Sequence, residues 1–119
     1  MHNKAAKMRF FGLRTCDTCR KALAQIRSAG QDPQVIDVRD DGITAVDLVA
    51  IIAGVGDAAI NRASTTWRGL DAAERLRPPE DLLVAYPTLL KRPAIDMAGV
   101  WTLGWTPEVQ ARALKRDDD

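Results

Sequence analysis

The sequence predicts an α/β protein: a mixed four-stranded sheet built in the order β-α-β, a helical insert, then β-β-α. Three observations carry this expectation. A short, partly aromatic segment with Met8, Phe10, Phe11 and Leu13 runs straight into a stretch with helical spacing. A second apolar run, QVIDV at 34 to 38, follows that stretch; two strands joined by a helix pair in parallel with a right-handed crossover. Near the other end PAIDM and VWTL flank Ala98-Gly99, the pattern of a β-hairpin.

Each element has its own signals. The first strand spans about 7–13 and ends near Gly12. Ala22, Leu23, Ile26 and Ala29 then recur at helical spacing, and Gly30 stands where a helix ends, with Pro33 beyond it. Thr44 starts a helix to about Ala53, with Asp47 three residues on as in a capping box. The middle is helical and interrupted by Gly54, Gly56, Pro78-Pro79 and Pro87, which leaves short helices near 57–62, 71–76 and 79–85. Strands near 93–97 and 100–103 follow, with Gly99 supplying the turn. Thr106-Pro107-Glu108 opens a final helix: cap, first-position proline, first-turn acid. The order matches a thioredoxin-like sheet with an inserted helical subdomain at about 44–90. We expect one domain over 1–119, with disordered tails at about 1–6 and 116–119.

The chain has 119 residues and a formal net charge of +1. Near-balanced charge gives no broad footprint for nucleic acid or anionic lipid. No run of ~18 apolar residues exists to span a membrane. The apolar stretch of MHNKAAKMRFFG is too short for a signal peptide. These readings place the chain in the cytoplasm.

Chemistry points to the two cysteines, Cys16 and Cys19, which sit three positions apart. A reducing compartment disfavours a permanent staple between them. A zinc site needs four ligands; only His2 could join the pair, so no metal is expected. Cys16 falls at the strand-to-helix junction, where unpaired N–H groups and the helix dipole favour an anion. The thiolate is the reactive form of cysteine, which points to nucleophilic or redox use. Arg14 and Arg20 stand close enough in sequence to add to the effect, and Asp17 to oppose it. Cys19, inside the first turn, reads either as a small buried hydrophobe or as the thiol that resolves a mixed disulfide on Cys16.

Four segments, CDTCRKA at 16–22, NRASTTWR at 61–68, KRPAID at 91–96 and LGWTPE at 103–108, together resemble the arsenate reductase (ArsC) family of thioredoxin-fold proteins. STTWR with the later KRP is most similar to its YffB-type branch, regarded as glutathione-dependent thiol reductases. The resemblance implies that Cys16 is the nucleophile and that Arg62 and Arg92 help hold an oxyanion. It also implies that Pro93 is cis and faces Cys16. Where the reductases carry a third arginine, this chain has Trp105, which cannot make a forked, charged contact. The implied activity is therefore glutathione-linked thiol or disulfide reduction ahead of arsenate reduction. Glutathione is then a co-substrate, with no bound cofactor, and Pro93 and Arg14 are candidate glutathione contacts.

Alternatives stand beside these roles. Arg62 reads as a solvated helix residue, Arg92 as an edge-strand charge, and Arg68 as one half of an ion pair. Thr65 and Thr66 read as cap or turn residues. Trp67, Trp101 and Trp105 read as packing. Spx-type regulators share the fold and the dithiol, so a redox-switched protein that binds the RNA polymerase α subunit is the alternative function.

Overall fold

The computed structural model describes residues 8–115. Lys7, expected in the first strand, lies outside them, as do His2 and the expected tails at 1–6 and 116–119. Among the described residues the chain forms two compact units. One holds the residues up to Asp37 together with those from Arg92 onward; the other is Val38–Lys91.

The first unit is built on β1, Met8–Gly12, whose Met8, Phe10 and Phe11 are buried. Burial on both faces is why this strand reads as a nearly continuous apolar run. It is a central strand of a sheet ordered β2-β1-β3-β4, with β2 at Gln34–Asp37, β3 at Ala94–Met97 and β4 at Val100–Leu103. β1 pairs in parallel with β2 and antiparallel with β3; Phe10 stands opposite both Val35 and Ile95. The sheet is thus the mixed four-stranded one expected. β2 stops at Asp37, so Val38 is not part of it.

Helix α1, Asp17–Ser28, connects the parallel pair. It buries Cys19, Ala22 and Ile26, one stripe at helical spacing, against Phe10, Ile95, Val109 and Ala113. Gly30 follows at φ 93°, the left-handed conformation that lets the chain turn away. The β3–β4 hairpin turns through Ala98 at φ 53° and Gly99 at φ 90°. The sequence pointed to Gly99 alone; Ala98 also goes left-handed. The Asp96 carboxylate accepts the Gly99 N–H at 2.8 Å and steadies the turn.

The last helix, labelled α6 in chain order, is Pro107–Ala113, and it opens as expected. The Thr106 hydroxyl accepts the Val109 N–H at 3.3 Å. Gln31 donates to the carbonyls of Ala113 (2.7 Å) and Lys115 (2.9 Å), tying the α1–β2 loop to this helix. Thr106→Ala should therefore cost about 1 kcal/mol, the usual worth of such a cap, read as a lower urea midpoint with unchanged slope.

The second unit is short helices joined by turns. Helix α2, Ala45–Val55, is capped by Thr44, whose hydroxyl accepts the Asp47 N–H at 3.1 Å. It outruns its expected end because Gly54 is carried inside it; Gly56, at φ 62°, stops it. The helix expected at 57–62 is instead a 3₁₀ turn over Gly56–Ala59. Ile60 then leaves helical geometry to bridge Leu90, flanked by Asn61 N–H to Leu89 O (2.7 Å) and Lys91 N–H to Ala59 O (2.8 Å).

Helix α3 is a single turn, Thr65–Arg68, capped by Ser64 rather than by either threonine. Helix α4, Ala72–Arg75, is capped by Asp71, and α5, Pro79–Ala85, starts on Pro79 as expected. A 3₁₀ turn at Pro87–Leu89 was not foreseen. Leu48, Ile51, Ile60, Leu82, Leu83, Leu89 and Leu90 are buried in this unit. No helix of the described residues is long and apolar enough to cross a membrane.

Candidate functional site

The loop after β1 delivers Cys16 to the start of α1. The Cys16 N–H bonds back to Leu13 O at 3.1 Å, and its carbonyl accepts the Arg20 N–H at 3.0 Å, which begins the helix. Cys16 is the N-cap residue, extended at φ −88°, ψ 119°. Its thiol is half-buried and free. The loop itself is pinned by Asp37, whose carboxylate accepts the Arg14 N–H at 2.9 Å.

Two thiols one turn apart experience opposite environments. Burial works against ionisation of Cys16 and is the largest single influence on it. The Cys19 backbone N–H, the Cys19 thiol and the Arg92 guanidinium together outweigh it, and the thiol ends below its ordinary 9.0. The N–H is one of the unpaired donors of the first helical turn. Cys19 is only 3% exposed. Burial, with the neighbouring Cys16 sulfur, pushes it up to about 12 despite a backbone hydrogen bond at Leu13. The structure thus makes Cys16 the acidic thiol and Cys19 the reluctant one.

Arg92 is the cation that acts on Cys16. Arg20, also near in sequence, is otherwise engaged: it pairs with Asp17 and donates to Arg14 O at 3.5 Å. The Arg92–Pro93 bond is cis, and Pro93 is fully buried. We expect Arg92→Met to move the Cys16 titration upward toward 9.0 and to slow its alkylation at neutral pH. An unmoved titration would assign the acidity to the helix N–H and the second thiol alone.

Cys16, Cys19, Arg92 and Pro93 all belong to the first unit. Arg62 belongs to the second unit and is exposed, as the solvated reading expects, but it sits in a turn rather than a helix. It grips both Asp57 carboxylate oxygens at 3.0 Å and lies 5.1 Å from the Trp67 ring centroid. Arg75 faces the same ring at 5.6 Å. Arg68 donates to Ala63 O at 2.8 Å instead of pairing with an acid. Trp101 lies against Phe11, ring centroids 5.4 Å apart. Trp105 donates its indole N–H to Gln25 at 2.8 Å and packs on the α1 core. Its hydrogen bond and packing are those of a structural residue.

Arg14 and Cys19 both line a cavity of about 270 Å³ at α1 and the β1–β2 pair, which Cys16 does not line. Two members of this region went unread in the sequence. In the sequence Gly12 marks only a strand end, yet a Cβ there would stand 2.8 Å from Cys19 Sγ and 3.0 Å from Phe10. Asp37 was read as part of an apolar strand; it is the buried charged residue among those described, and its signal was an acid inside QVIDV.

No family model matches the chain. An arsenate reductase of Rhizobium meliloti is 34% identical over 86 residues, which is 67% of this chain and 61% of that protein. The solved structure of an arsenate reductase (ArsC) related protein from Brucella melitensis is 27% identical, covers 94% of this chain and 97% of its own, and superposes with a TM-score of 0.70. A YffB protein of known structure is 30% identical, with a TM-score of 0.82 over 92% of this chain and all of its own. The chain belongs to the ArsC family. Its sheet and helices form the thioredoxin-like fold of these ArsC-family neighbours.

Proposed function

We propose that this ArsC-family chain is a glutathione-dependent thiol–disulfide reductase with Cys16 as its nucleophile. The observation that supports this most is the split between the two thiols, one lowered and one raised to about 12. The Cys16 thiolate attacks the glutathionyl sulfur of a mixed disulfide. A Cys16–glutathione disulfide forms, and the released thiolate takes up a proton from solvent. A second glutathione thiolate then attacks that disulfide, leaving oxidised glutathione and the Cys16 thiolate.

Cys19 offers the competing exit. Its thiol must first lose a proton; its sulfur then displaces glutathione and closes a Cys16–Cys19 disulfide. A thiol at about 12 is almost wholly protonated at neutral pH. Capping Cys16 removes its charge, but the burial of Cys19 remains. The glutathione exit is therefore the faster one.

Arg92 holds the Cys16 thiolate, and Pro93, its side chain buried, shapes the wall beside it so that the backbone of this loop seats glutathione. Arg14 is a further glutathione contact in this reading, and Arg62 is the second oxyanion arginine by family resemblance. Arsenate turnover is disfavoured by Trp105, whose indole is committed to Gln25. The test is turnover of a glutathione mixed disulfide by Cys16→Ser and Cys19→Ser. The first should be inactive and the second active with excess glutathione. The opposite pattern would refute the assignment.

A further inference from the structure

We propose that the cleft behind Cys19 is a second ligand site, and that it takes a compact aryl compound. Its walls are Phe10, Leu13, Leu23 and Val35, and Cys19 meets it over Gly12. Neither Cys16 nor Pro93 lines it, so its occupant touches the Cys19 side of the dithiol.

Three features fix the ligand class. The volume is about 270 Å³, and a dry cavity of roughly 150 Å³ already accepts benzene. A single ring, or two fused rings, fits. The walls are mainly hydrocarbon and sulfur; the one carboxylate that lines them, Asp37, is 5% exposed and already accepts the Arg14 N–H at 2.9 Å, so it makes little demand on a ligand. The two arginines that line it, Arg14 and Arg20, are exposed. Their stems can cover apolar surface while the guanidiniums stay wet, and a guanidinium near an open rim favours a π-face over an alkyl group.

The cleft also depends on Gly12. Any side chain there would drive into Cys19 Sγ and the Phe10 ring, and would close the space between strand and helix. The site therefore rests on the packing of one strand, one helix and a bare backbone position. It does not rest on the reductase reading, because binding is read without turnover.

The experiment is a titration of the ¹⁵N-labelled full chain with indole, followed by amide shifts. Saturable shifts should cluster at Gly12, Leu13, Cys19, Leu23 and Val35, with a dissociation constant on the order of 1 mM for a ligand of about nine non-hydrogen atoms. Val35→Trp, at an edge-strand position 40% exposed, should plug the cleft and weaken binding by about tenfold or more, as overfilling a cavity does. Leu23→Phe blocks it from α1 should the first variant fold poorly. The alkylation rate of Cys16 should stay the same with indole bound. Absence of saturable shifts, shifts centred on Cys16 and Arg92, or full affinity in a folded blocked variant would overturn the site.

Discussion

Cys16→Ser is expected to lose glutathione-linked disulfide turnover by a factor on the order of 10³ or more, since it removes the covalent route outright. The fold should survive. Cys16 is half-buried, and its position is the cap of α1, where it makes no side-chain cap hydrogen bond. Serine is among the preferred cap residues, so the variant should unfold at the same urea concentration or slightly above. Inactivity without destabilisation separates a chemical role from a structural one. Cys19→Ser is the counterpart. It replaces a buried thiol that packs on Gly12 and the α1 core, so it should lose stability while keeping the glutathione route. A Cys16→Ser protein with near-normal turnover would remove the nucleophile from the account.

Phe10→Ala is the substitution with the largest expected effect on stability. Phe10 is 2% exposed at the middle of a central strand. It lies in one cluster with Cys19, Ala22, Ile26, Ile95, Val109 and Ala113. Truncation deletes a ring that the surroundings cannot refill, at a cost of about 3–5 kcal/mol. Against a total of roughly 5–15 kcal/mol for a small domain, that leaves a marginal fold. Urea unfolding should show a much lower midpoint. A loss well under about 2 kcal/mol would mean the cluster collapses into the gap, contrary to the tight packing typical of protein cores.

The flanking elements were legible because each carried its own local signals. The caps and turns at Gly30, Thr44, Pro79 and Thr106 all stand where the residues placed them. The middle was harder. At 57–62 an isolated bridge between Ile60 and Leu90 overrides helical spacing, and a pairing 30 residues away leaves no periodic mark nearby. Ser64 took the cap expected of a threonine neighbour, since any hydroxyl in that stretch could serve. At the site, the dithiol and its place at a helix start were legible as chemistry, and Arg92 through family resemblance. Gly12 and Asp37 were not, because their roles lie in what approaches them in space: a sulfur 2.8 Å from where a Cβ would be, and a backbone N–H 23 residues earlier.

The account rests on a Cys16 sulfur that carries negative charge more readily than a free thiol. The direct measurement is the rate of iodoacetamide alkylation of the full chain against pH, with mass spectrometry locating the adduct. Thiolate is the reacting form, so the Cys16 rate should rise with pH and level off at a midpoint below 9.0, while Cys19 stays unlabelled across the same range. A Cys16 midpoint at or above 9.0, or labelling of Cys19 first, would contradict it.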